Sequence, residues 1–136
     1  MLQKILAATA ALALATGLSA QCATTTTATN NAGTVTLAAN GAPMAFAFFA
    51  LGDTTGSTSI SLGNFGTLTL GLDQPFVPVP AGLTDANGDA EVTFTVPSSA
   101  PAGTYHAQAV TVEFDIVPGT GPSLSFCAGN VASFSI

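Results

Sequence analysis

Beyond residue 22, no stretch of the chain repeats apolar residues at intervals of three and four, whereas apolar and polar residues alternate with period two again and again. A strand with one buried face alternates in this way because successive side chains point to opposite sides. Glycine, proline and asparagine interrupt the alternation every few residues, which makes the elements short and joins them by turns. The chain is therefore expected to be all-β, a two-sheet β-sandwich of about seven to nine strands.

Residues 34–38 read as a first strand, and residues 43–51 as a central one, apolar on both faces through Met44, Phe46, Phe48 and Phe49. Residues 57–62 and 67–72 follow, divided by Gly63 and Asn64. Residues 73–82 carry Pro75, Pro78 and Pro80, which lack the N–H that a central strand needs, so a loop or an edge segment is expected there. Residues 90–96 set Val92, Phe94 and Val96 inward against Glu91, Thr93 and Thr95 outward. Residues 104–117 are long enough for one strand, but its pattern changes parity. If Tyr105, Ala107 and Ala109 face inward, Val112, Phe114 and Ile116 face outward unless a bulge resets the register, and a bulge near Val110 is expected. Residues 124–127 and 131–136 supply the last two strands, with Gly129 and Asn130 between them.

The first twenty residues have another character. Lys4 precedes an apolar run, and small residues follow at Gly17, Ser19 and Ala20. That is the three-part pattern of an export signal, too short to span a membrane. Residues 1–20 are thus expected to be a signal helix cleaved after Ser19 or Ala20, residues 21–32 a flexible Thr-rich lead-in, and residues 33–136 one β-sandwich domain. The expected location is outside the cytoplasm, secreted to the extracellular space or the periplasm. Cleavage leaves Cys22 near the new N-terminus, where a lipoprotein would be acylated, but such signals place a small residue before the cysteine and Gln21 stands there.

Lys4 is the only lysine and there is no arginine. Once the signal is removed, Asp53, Asp73, Asp85, Asp89, Glu91, Glu113 and Asp115 face no cation other than His106. Nucleic acid is excluded as a specific partner, because its affinity rests on neutralising phosphates with Lys and Arg. Anionic membranes are excluded for the same reason. In an exported chain Cys22 and Cys127 point to one disulfide. Metal ligation by two cysteines alone leaves a closed site short of ligands.

Few residues have the chemistry for catalysis. His106 has no nucleophile motif to serve, and a solvent-facing role suits it better. Glu113 and Asp115 share one face of a strand, with Glu91 expected on a neighbouring strand, but glycoside hydrolysis also needs a cleft and aromatic platforms. Without tryptophan and with one tyrosine, the chain has little to stack on a sugar. Asp85, Asn87, Asp89 and Glu91 place oxygen at every second position, as the start of a calcium loop does. Gly88 stands fourth from Asp85 and Val96 twelfth, where an EF-hand has its glycine sixth and a glutamate twelfth. Asn87 and Gly88 instead suit a tight turn leading into a strand. No catalytic residue, metal site or cofactor is assigned.

Residues 84–94, Val96 and Pro97, and the sequence Ala102, Gly103, Thr104, Tyr105 together resemble the late hairpin of bacterial immunoglobulin-like modules. The resemblance implies an immunoglobulin-like sandwich with Tyr105 tucked at a strand corner. Residues 48–136 are also similar to small exported β-sandwich proteins that occur in many copies in planctomycete-type bacteria. That similarity rests on Gly66, Leu68 and Leu70, the turn at Asp85 to Gly88, Gln108 and Asn130. It implies fold and export but no activity. The expected function is a secreted, non-enzymatic module with a structural, adhesive or protein-interaction role, its partner a protein or a surface. The alternative is calcium-dependent ligand binding through residues 85–91. Self-association through the lysine-free edge strands of residues 57–72 is a further expectation.

Overall fold

The computed structural model describes residues 23–136, an all-β chain of nine strands in three sheets. The strands are β1 (Thr25–Asn31), β2 (Thr34–Asn40), β3 (Phe46–Gly52), β4 (Thr55–Ser61), β5 (Thr67–Leu72), β6 (Phe76–Leu83), β7 (Asp89–Thr95), β8 (Thr104–Val117) and β9 (Gly121–Ser135). The first sheet has the order β1-β2-β7, the second β6-β3-β8-β9, and β4 and β5 form a separate hairpin. All of these pairings are antiparallel. Residues 1–22, and with them the expected signal helix, lie outside the described residues.

Two sheets were expected, and the third explains the sequence of β3. Phe49 and Leu51 pack with Val35, Leu37, Ala107, Ala109 and Phe134 against the first sheet. Phe48 and Ala50, on the other face, pack with Leu68, Leu70, Leu72 and Val110 under the β4–β5 hairpin. The four-stranded sheet is thus a middle layer, and a strand covered on both sides loses its polar alternation. Gln108 bolts the outer hairpin to it. Its side chain accepts from Gly71 N at 2.8 Å and donates to Gly129 O at 2.7 Å.

The Thr-rich lead-in expected to be flexible is instead strand β1. It turns back on β2 through Ala32 and Gly33, both at positive φ (53° and 92°), the geometry of a type I′ hairpin turn. Thr26 and Ala28 point inward, and Thr26 is buried. Threonine hydroxyls replace apolar contacts: Thr26 Oγ1 accepts from Ala109 N at 2.9 Å, and Thr24 and Thr111 hydroxyls meet at 2.7 Å.

The register shift expected near Val110 is there, but the extra residue is not in β8. Gln108 pairs with Val131 and Val110 with Ala128, so Gly129 and Asn130 of β9 together oppose Ala109. Against β3 the register of β8 runs unbroken from His106 to Val112. The parity of β8 is therefore never reset, and its change of pattern marks where its covering layers begin and end. Residues 124–127 and 131–136, expected as two strands, are one strand bent by this bulge. Of residues 73–82, expected as a loop or an edge segment, 76–82 belong to β6, an edge strand as Pro78 and Pro80 require.

Candidate interaction face

Past Val112, β8 and β9 run on as a two-stranded arm without a neighbour from β3, whose pairing with β8 begins at Phe46 and Val112. The arm alternates strictly. Glu113 and Asp115 lie on one side with Ser123 and Ser125 opposite them, all exposed. On the other side Val112 pairs with Phe126, Phe114 with Leu124 and Ile116 with Pro122. This apolar side belongs to the same face as Val110, which the β4–β5 hairpin covers completely. Further out the cover thins among the described residues: Phe126 still packs against the hairpin core and Val112 is half-buried, and exposure rises to 64% at Phe114 and 66% at Ile116.

The face also extends sideways. Leu83 of β6 pairs with Phe46 of β3, Phe46 with Val112 of β8, and Val112 with Phe126 of β9. Directly opposed residues of antiparallel strands share a face. Four strands thus present one unbroken apolar row, with Leu83 at 63% exposure and Phe46 at 46%. None of these side chains is charged. The pattern was legible in Val112, Phe114 and Ile116, but the expected bulge would have turned them inward.

The other candidate residues are dispersed. His106 Nδ1 meets the Ser133 hydroxyl at 2.7 Å on an exposed stretch. Glu91 lies on β7, in a different sheet from Glu113 and Asp115, and its exposed side chain does not join theirs. The strand neighbour expected for those two carboxylates is β9, with Ser123 and Ser125. Among the described residues no three His, Cys, Asp or Glu side chains gather closely enough to hold a metal ion.

At the proposed calcium loop, Asp85 Oδ1 accepts from Asn87 N at 2.8 Å and Asp89 N at 2.9 Å. Asn40 Nδ2 donates to Asp89 Oδ1 at 2.7 Å. The oxygens thus shape a turn, closed by Gly88 N on Asp85 O at 3.0 Å. Gly88 has φ +83°, and a Cβ there would run into the Gly41 carbonyl. Asp85, Asp89 and Glu91 do not gather as a three-carboxylate cluster.

Tyr105 donates its hydroxyl to Pro101 O at 2.8 Å and stacks on Phe134 at 5.9 Å between ring centroids. Cys127 is buried beside a cleft of about 410 Å³ that Ala23 and Thr24 also line. No cysteine is free among the described residues. Cys22, its expected partner, lies outside them.

Compared with known proteins, the chain matches no family model, no curated protein and no solved structure.

Proposed function

We propose that the chain is a secreted, non-enzymatic β-sandwich module with a structural, adhesive or protein-interaction role at the cell surface or in the extracellular space. The observation that carries this reading is the open apolar row of Leu83, Phe46, Val112 and Phe126, continued by Phe114 and Ile116. A contiguous apolar face of this kind costs solubility, and soluble proteins keep such faces for partners. Among the described residues no buried side-chain nitrogen or oxygen lacks a hydrogen-bond partner, so the interior offers no unmet polar group to a ligand. The export pattern of residues 1–20 supports the location. The corner bond of Tyr105 supports an immunoglobulin-like sandwich of the first two sheets, with the β4–β5 hairpin as an added layer.

Fractionation of cells expressing the full chain, with intact-mass analysis of each fraction, tests the location. The protein is expected outside the cytoplasm with its N-terminus at residue 20 or 21. A cytoplasmic protein that retains residues 1–20 would overturn the reading.

A further inference from the structure

We infer that the open face of the middle sheet is the contact surface for a second copy of this chain, which makes the protein a face-to-face homodimer. The inference rests on the proposed interaction role and names the partner. Three observations select a second copy. The alternation of residues 112–116 is the pattern of a strand with one buried face, yet on the arm that face is open and two strands alone are marginally stable in water. The arm therefore needs a covering layer.

Charge decides what kind. Apart from Lys4 the chain has no lysine or arginine, so wherever two copies bring acidic surfaces together they repel. Phe114 and Ile116 carry no charge, and Glu113 and Asp115 project from the opposite side of the arm. Two copies related by a two-fold axis can join these faces without opposing carboxylates at the seam. A basic partner would be drawn to the acidic side instead.

Area supports the same occupant. The exposed parts of Leu83, Phe46, Phe114 and Ile116 with their half-buried neighbours amount to roughly 600 Å², the upper end of what a monomer exposes and approaching the ~800 Å² per partner of a standard interface. Because both copies use one surface, the contact closes on itself and stops at two.

Sedimentation equilibrium on the protein recovered from cells expressing the full chain tests this, with intact mass recording whether residues 1–20 remain. A dimer that tightens modestly with added salt is expected, since salt screens the net negative charge that both copies carry away from the seam. The double variant Phe114→Thr, Ile116→Thr keeps strand-forming residues at exposed positions. It should raise the dimer dissociation constant about a hundredfold or more with an unchanged circular dichroism spectrum. Glu113→Gln should leave the dimer intact. A wild-type monomer at about 100 μM, far above the usual dissociation constants of specific complexes, would overturn the inference. So would a dimer indifferent to the double variant, or one dispersed by Ser59→Lys, which would place the contact at the β4 edge. These outcomes are independent of the location experiment. A protein found outside the cell yet monomeric refutes the dimer alone, and a dimeric cytoplasmic protein refutes the secreted role alone.

Discussion

Asn130 and Thr26 form a closed pair of hydrogen bonds. Thr26 N donates to Asn130 Oδ1 at 2.8 Å, and Asn130 Nδ2 returns a bond to Thr26 O at 3.0 Å. The asparagine amide thus imitates a neighbouring strand for one residue of β1. It can do so because the bulge at Gly129 and Asn130 breaks the ladder opposite Ala109, whose N–H turns to Thr26 Oγ1 instead. The irregularity in β9 thus adds hydrogen-bonded links to the apolar core that already holds the first sheet to the middle one.

Asn130→Ala leaves the buried Thr26 N–H without its acceptor. The expected loss is about 1–3 kcal/mol, read as a lower urea midpoint, with hydrogen exchange fastest in β1. Asn130→Asp keeps the acceptor and loses the donor, so it should fall between wild type and Ala. Equal stability of all three proteins would show that the pair contributes nothing.

A second expectation concerns the turn that brings β1 back. Ala32 sits at φ +53°, a left-handed conformation that an L-residue with a plain Cβ adopts at a cost. Asn-Gly is the preferred pair for a type I′ turn, so Ala32→Asn should stabilise the domain by roughly 0.5–1 kcal/mol. Thermal unfolding measures it, and a lower midpoint would count against the turn geometry.

How far the sequence disclosed this structure depended on whether each signal was local. The alternation of β7 and the prolines of β6 spoke for themselves, as did the Asp85 to Gly88 turn. Strand β1 did not, because Thr26 and Thr24 are buried through hydroxyl bonds to residues more than eighty positions away, and threonine alone reads as solvent-facing. Phe48 and Phe49 announced a strand covered on both faces. Nothing in Ser57, Ser59 or Thr69 announced that a polar-backed hairpin would be the cover. The exposed apolar face was written openly in Val112, Phe114 and Ile116. It was misread because a two-sheet sandwich has no place for an apolar outer face, whereas a three-layer frame with a projecting arm does.

For calcium, the turn geometry gives a third expectation. Asp85 Oδ1 accepts two backbone N–H groups and Asp89 Oδ1 accepts from Asn40, so these oxygens already serve the turn, and among the described residues no third acidic side chain gathers beside the two carboxylates to complete a cation site. Calorimetric titration should show no dissociation constant below about 0.1 mM, the tight end of extracellular modules. Asp85→Ala is expected to destabilise the fold by about 1 kcal/mol whether or not calcium is added, as loss of a side-chain turn acceptor does. Tighter binding, abolished by Asp85→Ala and Asp89→Ala, would restore calcium-dependent ligand binding as the function.

The last expectation is a disulfide between Cys22 and Cys127. Cys127 borders the cleft that Ala23 and Thr24 line, so the chain leading to Cys22 ends beside it. Export would expose the pair to oxidising conditions, and neither has another cysteine to choose. The bond would close a loop of about a hundred residues and hold the start of β1 to β9, the same two strands that Asn130 joins. In the chain-entropy account such a loop contributes about 4–5 kcal/mol, which for a domain of this size corresponds to roughly 10–20 °C in thermal midpoint. Intact masses of the exported protein should differ by two hydrogens with and without reductant, about 2 Da, and reduction should lower the midpoint by that margin. Two free thiols in the exported protein would rule the bond out, and a mass increase of a lipid at Cys22 would show acylation in its place.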